Sequence, residues 1–231
     1  MYQNLLLSSL KLNYSKWIAS SHFGKRYFGI TMLKLQLSAI ALTTILLPTK
    51  VIADNSQQLT QNGNDCRGEQ ILTASNCAGD GLESEEAQLH QLVNQYREQY
   101  GLPPIPISPS LTLVANRHIR DLEENIGQLT HGWSNCPYSY SDSSTWPCMW
   151  EAPQRFGTPY PGYGYENAHG GTGGYKASAE SALRSWQSSN PHNEVILNQG
   201  IWQDKEWNAL GIGIYGGYAV LWFGEESDPG N

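Results

Sequence analysis

Acidic residues are missing from the first 53 positions, and the chain as a whole is short of charge and of cysteine. Charged residues make up 15% of 231 positions and there are four cysteines. Residues 1–34 hold five basic residues (Lys11, Lys16, Lys25, Arg26, Lys34) and no Asp or Glu. From residue 54 onward eight basic residues face all 21 acidic ones. A surface that acidic repels phosphate backbones, which excludes nucleic acid as a natural partner. No two cysteines form a C-x-x-C pair, so neither a zinc ribbon nor a thioredoxin-like site is signalled. Also missing are a G-x-S-x-G elbow, an H-E-x-x-H helix and a Walker loop. The glycine run 170–174 lacks the Gly-Lys-Ser/Thr that would make it a phosphate cradle and reads as a loop. No internal repeat is present.

What is present begins with an amino-terminal leader. Lys34 precedes the apolar run Leu35 to Leu47, and Val51-Ile52-Ala53 offers small residues before Asp54. This is the three-part layout of a secretory signal peptide. Thirteen residues at ~1.5 Å each span about 20 Å, short of a ~30 Å hydrocarbon core, so no stable membrane span is expected after cleavage. Met32 as the true start and a long basic leader are both open readings. Residues 1–53 are thus expected to be leader and signal, and the mature chain to be secreted, periplasmic or extracellular.

In an oxidising compartment Cys66, Cys77, Cys136 and Cys148 allow three connectivities, of which the local pairs Cys66–Cys77 and Cys136–Cys148 are the simplest. Residues 54–82 are polar and carry the first pair, reading as an extension or linker. Residues 225–231 read as an acidic tail.

Between them the periodicity is helical first and extended last. Leu89, Leu92, Val93, Tyr96 and Tyr100 recur at helical spacing from about Glu83, until Gly101 and Pro103-Pro104 stop the run. Ser108 is an N-cap with Pro109 at the first helical position, ahead of the stripe Leu111, Val114, Ala115, His118 and Leu122. A third helix is expected from Tyr175 to Ser188. Residues 133–165 look irregular and hold nine aromatics with the second cysteine pair. Leu210, Ile212 and Ile214 alternate with small residues. Gly216-Gly217 turns the chain, and Tyr218, Val220 and Trp222 alternate back, which is a hairpin signal. The class is α+β.

Six histidines are the candidates for acid–base or metal work. His22 lies in the leader, His90 and His118 in helices. His118 sits in an apolar stripe and reads as a hydrogen-bonded core histidine. His131, His169 and His192 lie beside glycines, prolines or helix ends, where side chains converge on clefts.

Several segments taken in order resemble a known family. Asn94 to Arg97, Gly101 to Pro104, Ser110-Leu111 and Ala115 to His118 resemble the two opening helices of the CAP domain (cysteine-rich secretory proteins, antigen 5 and pathogenesis-related type 1). Leu129 to Trp133 resembles the segment bearing its first cleft histidine, and Tyr165 to Ala168 its G-E-N-[IL] strand. Trp186 with Asn190 to Leu197 resembles the bacterial form W-x-x-S-P-G-H-x-x-x-[IL]-L. Ala209 to Gly213 and Leu221 to Gly224 resemble the closing strands. The eukaryotic G-H-Y-T-Q segment is absent, which places the resemblance with the bacterial branch.

The resemblance covers about 83–224 and implies an α-β-α sandwich around a central, largely antiparallel sheet. It also implies a cleft with two His and two Glu that in some members hold a divalent metal such as zinc. By position, His131 and His192 match the histidines and Glu166 one glutamate. The second glutamate falls on Ser189, with Glu180 and Glu194 nearby. The implied function is a binding module. Its His131, Glu166 and His192 would hold zinc or another divalent metal, or a small extracellular ligand, lipid, peptide or glycan. The alternatives are a metal-dependent, peptidase-like hydrolase with Glu166 as base, a glycosidase pairing Glu166 with Glu180 or Glu194, and a structural envelope protein. The aromatics of 133–165 suit either a recognition surface or the filling of a loop-rich core.

Overall fold

The computed structural model describes residues 64–230. The expected leader and the cleavage point after Ala53 lie outside the described residues. No helix among the described residues is long and apolar enough to cross a membrane.

The elements follow in chain order. A short α1 (Gln70–Thr73) precedes α2 (Ser84–Glu98) and α3 (Pro109–Asp121). Two further turns are α4 (Pro147–Trp150) and α5 (Ala152–Arg155). Then come β1 (Tyr165–Gly170), α6 (Ala179–Ser188), α7 (Asn190–Ile196), β2 (Ala209–Tyr215) and β3 (Tyr218–Gly224). The sheet is antiparallel with order β1-β3-β2. Tyr165 stands opposite Phe223 and Gly170 opposite Tyr218, while Ala209 pairs with Gly224 across the hairpin.

Alternation along the central strand β3 creates the layers. Ala219, Leu221 and Phe223 face α2, α6 and α7, against Leu89, Val93, Trp186 and Ile196. Tyr218, Val220 and Trp222 face α3, against Leu111, Val114, Ala115 and Ile119. The α-β-α sandwich expected from the resemblance is the architecture observed. The small residues of β2 explain how close α3 comes. A Cβ at Gly211 would overlap the Leu111 carbonyl, and one at Gly213 would lie 2.8 Å from that of Ala115. At the hairpin tip Gly216 adopts φ +58°, the left-handed region that glycine enters without penalty.

Two local caps set the main helices. The Ser108 side chain accepts from Leu111 N, as its N-cap position requires. Asp228 adds a second acceptor, taking hydrogen bonds from Ser110 N (2.8 Å) and the Ser108 and Ser110 hydroxyls. The acidic carboxyl-terminal segment is therefore docked on the start of α3. The third helix begins at Ala179, not at Tyr175, because Ser178 takes the N-cap and closes a capping box with Ser181. Residues 175–178 stay outside it, and Tyr175 hydrogen-bonds His169 and Ser181 through its hydroxyl.

Both local disulfides form, Cys66–Cys77 and Cys136–Cys148, each with Cα atoms 5.5 Å apart. The first closes a loop that is docked on α3. Its anchor is Arg117, 1% exposed, whose guanidinium donates to Asp80 and to the carbonyls of Ile71 (2.6 Å) and Ala74 (3.2 Å). Residues 133–165 fold as short helical turns, and Trp133, Met149 and Tyr160 fill the α3 side of the core.

Candidate functional site

The site grows from the outer strand. On β1, Glu166 stands opposite Trp222, so its side chain shares the face that Trp222 turns toward α3. Asn167 points the other way and donates to the His192 carbonyl on α7 (2.9 Å). One turn of extended chain thus reaches both helical layers.

The Glu166 side chain is 0% exposed and places each oxygen on a different imidazole. His118 Nδ1 lies 2.5 Å from Oε1, and His131 Nδ1 lies 2.7 Å from Oε2. The other nitrogen of His118, Nε2, lies 2.9 Å from the Gly132 carbonyl. Two acceptors therefore face the two nitrogens of His118, and both can be satisfied only if each nitrogen carries a proton. Burial alone pulls His118 down, but the Glu166 charge and hydrogen bond and the Gly132 carbonyl reverse this, leaving its pKa raised. Burial alone pushes Glu166 up, and the two imidazoles, His118 first, outweigh it and hold the carboxyl at about 2. The core thus contains an imidazolium–carboxylate pair.

Segment 130–136 is fixed by its own bonds. The Asp121 carboxylate at the end of α3 accepts from Ser134 N (2.7 Å) and Ser134 Oγ (2.6 Å). His131, 31% exposed, leans edge-on to Tyr138. Across from it, His192 rises from the first turn of α7, and its Nδ1 shares a 2.7 Å hydrogen bond with Ser189 Oγ. Burial lowers the His192 pKa, the nearby His131 lowers it further and Glu166 partly offsets this. His192 is accordingly neutral at neutral pH.

His131, Glu166 and His192 line one cleft of about 310 Å³ that crosses the outer edge of β1. Its walls are Tyr138, Tyr140, Tyr165, Trp202 and Ile201, with Glu194 at the α7 side. Tyr140 is 87% and Ile201 77% exposed. No Lys or Arg lines it. His169 is engaged by Tyr175 and borders Trp186, and His90 bonds the Ile105 carbonyl, so neither completes this cleft.

Glu166 directs one oxygen at each of two imidazoles and its side chain is 0% exposed, so it is not open to a metal in the cleft. Among the described residues no group of three or more His, Cys, Asp or Glu is gathered so as to hold a metal ion. His131, His192 and Glu166 therefore do not fit as a three-ligand set. Of the two substitutes for the second glutamate, Glu180 bonds Gln88 on α2 (2.5 Å), and Glu194 lines the cleft while accepting from Asn190. The position itself, Ser189, holds His192.

Sequence reasoning placed His118 in the core but missed its bond to Glu166. The signal was available: a histidine in an apolar stripe needs acceptors for its ring, and a carboxylate in a neighbouring buried strand can supply one.

Residues 90–203 match the family model described as "Cysteine-rich secretory protein family" (CAP). No curated protein matches. Among solved structures, the chain is similar to an extracellular protein containing an SCP domain from Bacillus anthracis str. Ames, with 19% identity and a TM-score of 0.48. It is also similar to a cysteine-rich secretory protein from Staphylococcus aureus subsp. aureus Mu50, with 18% identity and a TM-score of 0.40. In both cases 62% of this chain is covered, against 40% and 39% of the other, so the chain spans about two fifths of their length. With the family model on residues 90–203 and the α-β-α sandwich around them, the chain belongs to the CAP superfamily.

Proposed function

We propose that the chain is a secreted binding module whose cleft across β1 takes a small extracellular ligand. The observation that carries this reading is the division of labour around Glu166. The carboxylate is spent on holding His118 and His131, so the groups left to meet a ligand are the outer nitrogens of His131 and His192 and the aromatic walls. A small concave site with a few placed polar groups among aromatic side chains has the form of a ligand pocket. The two disulfides and the leader layout support export.

A second reading keeps the metal, on His131 and His192 alone. It is favoured by one feature: a carboxylate on the far nitrogen of His131 is the usual partner of a metal-bound imidazole. Water or a ligand would complete the coordination. The hydrolase and glycosidase readings lose their base, because a buried carboxylate held at about 2 between two imidazoles has little tendency to take a proton.

Native mass spectrometry of the exported chain, purified without chelator, tests the proposal. A small molecule retained by the native chain and lost in a His131→Ala, His192→Ala double variant, but kept in His90→Ala, supports the ligand reading. Stoichiometric zinc lost in the same double variant supports the second. Equal retention in all variants places the site elsewhere.

A further inference from the structure

We infer that Glu166 and Ser189 hold His131 and His192 in opposite tautomers, and that the cleft is thereby built for a neutral, polyhydroxylated ring, a glycan, in place of a metal ion. The inference rests on the ligand-binding reading above.

Glu166 is ionised and can only accept, so His131 Nδ1 carries the proton and its Nε2 presents a lone pair. Ser189 differs in kind, since a hydroxyl can donate. No other acceptor for the Ser189 hydroxyl is found among the described residues, and the two atoms lie 2.7 Å apart. Donation from Ser189 Oγ–H to His192 Nδ1 gives the half-buried hydroxyl a protein acceptor and places the His192 proton on Nε2, whereas the reverse direction leaves that hydroxyl to solvent. The cleft then offers one acceptor, at His131, and one donor, at His192. A metal requires a lone pair from both. A hydroxyl group, which donates and accepts, matches the pair as it stands.

The rest of the lining selects among hydroxylated ligands. With no Lys or Arg in the cleft and Glu194 on its wall, anionic groups such as phosphate, sulfate or carboxylate find no counter-charge. The exposed ring of Tyr140 and the half-buried ring of Trp202 offer flat faces for the C–H surface of a sugar ring. At about 310 Å³ the cleft is at the small end of ligand sites, room for a short oligosaccharide segment.

Ser189 is therefore a positioning residue, and a variant at this position gives the test. In the full chain with 15N-labelled histidine, above the pH at which both rings lose their extra proton, His131 should show Nδ1 protonated and His192 Nε2 protonated. Ser189→Glu should move the His192 proton to Nδ1 while leaving the His131 spectrum unchanged. Chitin and cellulose oligosaccharides should shift both rings in the parent chain. Their affinity should drop about tenfold in Ser189→Glu, the loss of roughly one hydrogen bond, while affinity for Zn²⁺ rises. His131 and His192 in the same tautomer overturn the inference. So does the expected pair of tautomers with no response to either oligosaccharide. If a fatty acid or a peptide then shifts the rings, the ligand-binding reading stands without the glycan; if none of these probes shifts them, that reading falls as well.

Discussion

Glu166 and His118 meet at 2.5 Å in the core between β1 and α3, both side chains 0% exposed, and this contact ties the edge strand of the sheet to the opposite helical layer. The same carboxylate reaches His131 at the surface with its other oxygen. A buried pair and a cleft side chain thus share one anchor.

Removing the carboxylate leaves an uncompensated charge in the core. Glu166→Ala should lower unfolding stability by about 3–5 kcal/mol, the range for one partner lost from a buried pair. His131→Ala, at a partly exposed partner, should lower it by less than half as much. Urea denaturation of the two variants beside the parent chain checks the order.

The same pair sets a pH dependence with a definite sign. The Glu166 pKa is depressed on folding, so its contribution is present above the unfolded value of about 4.5 and is lost as pH falls toward 2. The His118 pKa is raised, so its contribution is present below about 6.5 and is lost as pH climbs through the higher folded value. The pair therefore contributes most between about pH 4.5 and 6.5. Subtracting the stability profile of Glu166→Gln from that of the parent chain should leave a difference that shrinks below this window; a flat difference contradicts the assignment.

Glu86 acts in the opposite sense. It caps α2 through Glu83 N (2.8 Å) and covers the edge of β2 through Ile214 N (3.1 Å). Burial pushes its carboxyl up to about 7 against those hydrogen bonds. Its contribution is complete below about pH 4.5 and is lost as pH rises through 7. Glu86→Gln, which cannot ionise, should lack that decline when unfolding is followed from pH 4.5 to 8.

Sequence pattern reached far into this fold because its helices and hairpin obey local rules. Ser108 and Pro109 marked the start of α3, and the alternation of Leu210 and Ile212 with glycines marked β2. The glycines proved to be spaces for α3, a tertiary fact that strand periodicity does not carry. The start of α6 is Ala179 and not the expected Tyr175, because the Ser178 cap decides the boundary. At the site, family spacing brought out His131, Glu166 and His192. It could not show that Glu166 has both oxygens occupied, since His118 lies 48 residues earlier. Nor could it show that Ser189 does work on His192 where the family has a glutamate.

Close packing of α3 on β2 has its own test. Gly211→Ala drives a methyl into the Leu111 backbone, where nothing flexible can give way. It should lower stability by roughly 1–3 kcal/mol, the usual effect of overpacking. Gly127→Ala, with open space around the position, should act through backbone strain alone. Thermal unfolding of the pair distinguishes the two mechanisms.

Export is tested at the amino terminus. If residues 1–53 are a leader, the secreted chain should begin at or near Asp54, and sequencing its first residues would show this. A secreted form that keeps Leu35 to Leu47 would point to an anchor.

The most direct test of the account is the protonation of His118. Nitrogen-15 spectra of the histidines at pH 7 should show both His118 nitrogens carrying protons, as an imidazolium between Glu166 and the Gly132 carbonyl, while His192 is neutral in the same sample. A neutral His118 at pH 7 would contradict the account, because Glu166 would then not be spent on a buried cation and would be available as a ligand or a base.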